Sequence, residues 1–267
     1  MMSNLQRDAA PLPERTWKAV DEAVAQAARH VMAARRVATF DGPRGWDHAA
    51  TRLGTMKPCA TREGKATVCV AEMALLAEVR AEFTLSWTVL ELFDRGAPAL
   101  DTSRAEEAAR EVALAEDRIV FYGEPLGHAL LLSKMSPTIT TQDWAKPGQA
   151  LTDVLHAVER LDAAGISGPY ELVLSPARYF AFLHGTEDGG YPTSRHLREV
   201  IGGVHRSTVI RDAGAVFSTR GDDFIITVGG DLSVGHRGHD ASGVHLFCVE
   251  TIAPQLITPE AVCLLKP

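Results

Sequence analysis

The chain has 267 residues, 46% of them hydrophobic, enough to bury a core in one large or two modest domains and enough to exclude a disordered scaffold. A formal net charge of -7 with no cluster of Lys and Arg excludes a nucleic-acid binder held by bulk electrostatics. No apolar run approaches the roughly 20 residues that cross a bilayer, and the N-terminal MMSNLQRDAAPLPER lacks a signal-peptide core, so a soluble, cytoplasmic protein with no membrane partner is expected. Residues up to Leu12 read as an arm without periodicity. Pro13 and Glu14 suit a helix start, and Trp17, Val20, Val24, Ala27 and Val31 make one apolar stripe. That helix is expected to run out at Arg35 and Arg36, cations that complement the negative end of the helix dipole. Phe40 follows in an extended segment, and Gly42, Pro43 and Gly45 then break regular structure. Asp41 lies near the arginine pair in sequence, so a solvated ion pair at a helix stop and a docking edge are equally good readings of Ala33–Trp46.

From Gly54 to Met73 the sequence is polar and reads as a projecting β-hairpin-like loop. It enters the cleanest strand of the chain, where Val79, Ala81, Phe83, Leu85 and Trp87 alternate with polar residues. Such a strand has an edge that needs a partner. Ser103 and Glu106 have capping-box spacing, opening a helix to about Tyr122 with Ala105, Ala108, Val112, Ala115 and Ile119 inward. A compact α/β unit follows: a helix through Leu151–Leu161, the strand Tyr170–Leu174, a helix opened by Ser175-Pro176, and a third helix around Ser194–Ile201. Strands are expected at Thr208–Arg211, Ala215–Thr219 and Phe224–Val228, the last two joined in a hairpin at Gly221-Asp222, and then at Val244–Glu250 and Ala261–Leu265. The mixed order favours an α+β architecture over a doubly wound parallel sheet.

Chemical motifs are sparse. His236, His239, Asp240 and His245 have ligand types for a transition metal, but Gly235 and Gly238 argue against the helix that would group them, and a solvated turn is the simpler reading; no metal is expected. Glu116 and Asp117 adjoin on a helix and so do not face each other as an acid/base pair. Of the four cysteines, Cys248 and Cys263 sit in apolar runs as small buried hydrophobes, whereas Cys59 and Cys69 flank a polar segment where a disulfide is an open possibility. No nucleophile elbow, phosphate loop or dinucleotide fingerprint is present, and no catalytic residue is assigned.

Over nearly its whole length the chain resembles the encapsulins, also known as linocin-type bacteriocins. The matching segments are NLQRDAAPL, ARRVATFDGPRGW, AEVRAEFTL, FDRGAPALD, AAREVALAEDRIVFYG, GISGPYELVLSP, FSTRGDDFIITVGGDLSVG, VHLFCVET and PEAVCLLKP, in that order. The resemblance implies the tailed-phage (HK97-like) capsid fold, with an N-terminal arm and helix at 1–53, an extended loop at 54–78, peripheral-domain segments at 79–130 and 229–267, and an axial domain at 131–228. It implies a homo-oligomeric, icosahedral shell, which at this chain length is the smallest (T=1) geometry. Such shells enclose a cargo enzyme, for example a dye-decolorizing peroxidase or ferritin-like protein, through the cargo's C-terminal peptide.

Carried to matching positions, the resemblance implies a cargo-peptide site of Val31, Arg35, Asp41, Asp231, Leu232 and Val234. It likewise implies a fivefold pore of Thr186, Glu187, Asp188, Gly189 and Gly190, whose carboxylates would form an acidic ring. Some relatives bind a flavin near a tryptophan after the extended loop. Here Trp87 is displaced by one position, which in a strand reverses the face, so no flavin or other cofactor is expected. Two other readings remain: a phage-type capsid protein packaging DNA, and a bacteriocin or metal-dependent hydrolase using His236–His245.

Overall fold

The computed structural model describes residues 4–57, 60–61, 67–126, 136–185, 197–211 and 214–267. Helix α1 (Glu14–Arg29) starts after Pro13 and buries Val20, Val24 and Ala27, as its stripe requires. It stops at Arg29, not at Arg36; residues Ala34–Arg36 form a separate 3-10 turn. The reason lies in another helix. The Asp117 carboxylate accepts the N–H groups of Ala33 at 3.1 Å and Ala34 at 3.0 Å, drawing them away from a continuing helical ladder.

Strand β1 (Thr39–Asp41) leads into the Gly-Pro-Arg-Gly-Trp segment, whose Arg44 and Gly45 amides donate to the carbonyls of Val228 and Gly229. Gly42 is required there, because its φ of +154° is joined to a backbone so close to Val228 that a Cβ would collide with the carbonyl. Strands β2 (Ala50–Met56) and β5 (Ala71–Leu75) pair as the expected ribbon, extended by the short pair β3 (Ala60–Thr61) and β4 (Thr67–Val68). Met56, Val68, Val70, Met73 and Leu75 stand exposed on it. Strand β6 (Ala77–Ser86) buries Ala81, Phe83 and Leu85. Trp87 does not close that strand but opens helix α2 (Trp87–Asp94), because Ser86 caps the helix by accepting the Val89 amide. Strand alternation therefore does not set the direction of Trp87; its indole N–H donates to the Asp240 carbonyl at 2.7 Å.

Helix α3 (Ser103–Tyr122) ends on Gly123 at φ +71°. Its start differs from the expected capping box: Thr102 is the N-cap, and Asp101 accepts both the amide and the hydroxyl of Ser103. An Asx turn from the preceding aspartate outcompetes the Ser103–Glu106 arrangement. Strand β7 (Thr138–Thr140), helix α4 (Gln149–Ala163), strand β8 (Tyr170–Leu174) and helix α5 (Pro176–His184) follow, the last capped by Ser175 as expected.

The extended segment after them is β9 (Ile201–Arg206), and residues 208–210 form a bend, with no strand at 211, instead of the expected strand. Of the helix expected around Ser194–Ile201, residues 194–196 lie outside the described residues, Leu197 is helical, residues 198–200 are a turn and Ile201 begins β9. Gly202 and Gly203 hide the strand's signal, yet they admit the Glu171 side chain alongside. Strands β10 (Gly214–Ser218), β11 (Phe224–Val228), β12 (Ser233–Asp240), β13 (Gly243–Leu256) and β14 (Val262–Lys266) complete the chain.

Two five-stranded sheets result. In the first, β1, β11, β13 and β12 pair in that order, and β6 pairs along the other edge of β13. In the second the order is β7-β14-β10-β8-β9. The Gly221-Asp222 turn consequently joins two sheets and closes no hairpin. The expected boundary at 228/229 also cuts across the sheets, since β11 belongs to the first and β14 to the second. The architecture is α+β, with one core where α1 and α3 cover the first sheet and a larger one around the second sheet and α4.

Candidate docking site

The 3-10 turn aims Arg35 at the junction of α3, β13 and the Asp231 loop. Its guanidinium donates from Nε and Nη2 to Glu116 at 2.8 and 2.7 Å, from Nη2 to Glu250 at 3.0 Å and from Nη1 to Asp231 at 2.9 Å. The Phe40 ring lies beneath it, 5.1 Å from ring centre to cation. Glu116 and Glu250 are fully buried, whereas the Asp231 side chain is 44% exposed. One cation thus faces three carboxylates, two without access to water. Burial, and then the charge of Glu116, push the Glu250 carboxyl well above the usual carboxylate range. Burial works against the Arg35 cation, but the hydrogen bonds and charges of these acids outweigh it and raise its pKa.

Asp117 turns to different partners, as adjacency on a helix demands. Besides the Ala33 and Ala34 amides it accepts the Ser207 hydroxyl at 3.0 Å. Burial lifts its carboxyl to about 7 although those amides oppose the shift. Beside Arg35, Val31 and Leu232 pack against the small apolar cluster of Ala28, Met32 and Ala113. The Leu232 amide donates to the Asp231 carboxylate and the Ser233 hydroxyl to the Asp231 carbonyl, which fixes this loop.

Val31, Arg35, Asp231 and Leu232 therefore converge on one surface. Asp41 does not join them. Alternation along β1 turns it away from the Phe40 face, and it binds Arg44 at 2.6 Å and the Thr227 hydroxyl instead of Arg35. Val234 is fully buried in the core beneath α1, so it supports the surface from behind. Glu116, Glu250 and Phe40 were not among the expected site residues.

The N-terminal arm lies over β12. Arg7 donates to the Val234 carbonyl at 2.8 Å, pairs with Asp21 and covers the Trp17 ring, while the His236 amide donates to the Leu5 carbonyl. His236 is buried in this strand and not in the solvated turn expected for it, and its ring stacks on His239. Among the described residues no group of three or more His, Cys, Asp or Glu side chains is placed to hold a metal. Cys248 and Cys263 are free and buried, their thiols pushed up to about 12 and about 11 by burial. Cys69 is disulfide-bonded, while Cys59 lies outside the described residues. The expected pore, Thr186, Glu187, Asp188, Gly189 and Gly190, also lies outside them. Among the described residues no helix is long and apolar enough to cross a membrane.

A family model described as "Encapsulating protein for peroxidase" matches residues 2–253. A type 1 encapsulin shell protein of Rhodospirillum rubrum is 34% identical over 271 aligned positions, covering 99% of this chain and 97% of the relative. One of Rhodococcus erythropolis is 33% identical, covering 98% of each. Among solved structures, a virus-like particle from Pyrococcus furiosus has a TM-score of 0.70 at 19% identity, over 94% of this chain and 99% of that one. The capsid of the Myoviridae phage XM1 has a TM-score of 0.57 at 14% identity, over 85% and 88%. The fold is the one shared by these capsids. The named relatives are shell proteins, a structural and not a catalytic role.

Proposed function

The chain belongs to the type 1 encapsulin shell proteins, and we propose that it builds a T=1 icosahedral shell in the cytoplasm and holds a cargo enzyme by that enzyme's C-terminal peptide. The observation that carries the cargo reading is the convergence of Val31, Arg35, Asp231 and Leu232 on one half-exposed surface. Apolar anchors of a peptide would rest on Val31 and Leu232, and the charged pair would set its direction. The family description supports a peroxidase as the cargo class. The exposed apolar side chains of the β2–β5 ribbon favour burial against a neighbouring copy.

Electron microscopy of the purified protein, co-expressed with the candidate cargo, tests both parts. Closed shells of one small diameter containing cargo are expected. Leu232→Asp should empty them without preventing assembly. Retained cargo in that variant would overturn the dock assignment, and nuclease-protected DNA inside the wild-type particles would instead favour a packaging capsid.

A further inference from the structure

Next to this surface, on the other side of Val31, lies a second groove of about 460 Å³ between the end of α1, the 30–36 link, α5 and β9. Val31, Met32, Val204 and the Tyr179 ring line it among surface that is mostly polar. Its rim is cationic: Arg29, Arg36 and Arg206, with His30 beside them. No carboxylate lines it; Glu171, behind the groove, is occupied by His205 at 2.8 Å.

These three arginines differ from most others in the chain. Arg7, Arg15, Arg44, Arg104 and Arg237 each pair with a carboxylate, whereas Arg29, Arg36 and Arg206 make no ion pair among the described residues. Arg206 only lies over the Phe180 ring, at 5.7 Å. A place at the end of α1 accounts for Arg29 through the helix dipole, but not for Arg36 or Arg206, which arrive from a 3-10 turn and an edge strand. In a protein of net charge -7, three unpaired cations gathered around one groove form a surface complementary to an anion. Val31, Val204 and the Tyr179 ring offer a polypeptide side chain contacts that a bare phosphate chain would not use, and shared Val31 makes the groove continuous with the dock.

We propose that this groove binds an acidic segment of the enclosed cargo polypeptide, its carboxylates on the three arginines and one of its side chains against Val31 and Val204. The proposal rests on the reading that cargo is held at this face. It is tested by co-expressing the full chain with a monomeric fluorescent protein ending in either hexaglutamate or hexaserine, neither carrying a targeting peptide. The hexaglutamate fusion is expected to be enriched in purified shells about tenfold over the hexaserine one, the ratio given by three contacts of ordinary surface ion-pair strength. Combined Arg29→Gln, Arg36→Gln and Arg206→Gln should abolish that enrichment, and Arg206→Gln alone, an exposed position, should reduce it if the triple variant does not assemble.

Equal loading of the two fusions, or enrichment that survives the arginine substitutions, would overturn the proposal. So would nuclease-protected RNA that co-purifies with the wild type and is lost in the arginine variants, which would assign the groove to nucleic acid. Failure of the dock is read separately, as unchanged loading of genuine cargo by Leu232→Asp shells.

Discussion

Arg35 ties Glu250 of β13 to Glu116 of α3: two buried carboxylates from different elements share one guanidinium, and only Asp231, the third acid on the same cation, reaches well into water. The residue at the centre of the candidate dock is therefore also a structural tie. Removing it leaves buried acids uncompensated, which costs about 3–5 kcal/mol when one partner of a buried pair is lost. Arg35→Ala is expected to lower the unfolding free energy by that order, and Arg35→Lys to recover only part of it because the bidentate geometry on Glu116 is lost. Urea unfolding followed by tryptophan fluorescence would measure both.

Burial beside Glu116 favours the protonated form of Glu250, which Gln imitates. In Glu250→Gln the amide can donate to Glu116 as a protonated carboxyl would, so stability near pH 6 should stay within about 1 kcal/mol of wild type. Glu250→Leu removes the donor and leaves Glu116 with Arg35 alone. A variant Gln protein as unstable as the Leu protein would show that the position needs a negative charge.

Asp117 gives a pH dependence with a definite sign. Its carboxyl ionises near 3.8 when unfolded and about 7 when folded, so between those values the native state binds the extra proton. Stability from this group is full below about pH 4 and is lost as pH rises towards 7. Asn in its place still accepts the Ala33 and Ala34 amides and donates to Ser207. Asp117→Asn should therefore gain stability relative to wild type as pH goes from 5 to 8, which denaturation curves at the two values would reveal; a constant difference would refute the buried-proton reading.

Gly230 sits where a Cβ would come within 2.5 Å of the Trp46 indole ring. The Gly230→Ala change should push the ring off its seat and cost about 1–3 kcal/mol, the usual penalty for overpacking. A shifted near-ultraviolet tryptophan signal, with shells still forming, is the expected result.

Where side-chain periodicity was strong the fold was legible: α1, β6, α4, β8 and α5 all lie where their apolar spacing puts them. β9 was not, because Gly202 and Gly203 erase alternation at the positions that let the Glu171 side chain approach. The early stop of α1 was hidden for another reason. It is caused by Asp117, a residue more than eighty positions away, and no local signal carries it. The site was half legible. Arg35, Asp231, Val31 and Leu232 were indicated by whole-chain resemblance, but the acids that hold Arg35 lie in apolar-looking stretches of α3 and β13. Asp41 looked like the partner of Arg35 because it was near in sequence, and strand alternation sends it elsewhere. The arginine groove could not be seen at all in one dimension, since Arg29, Arg36 and Arg206 form no run.

Strand β14 pairs with β10 on one side and β7 on the other. It follows both of them in the chain, yet it stands between them, inside its sheet and not at the margin. On a ribosome β7 and β10 emerge first and wait with their facing edges unpaired until this segment arrives. A subunit truncated before Val262 would have a gap in the middle of that sheet, leaving one edge each of β7 and β10 without the strand that satisfies it.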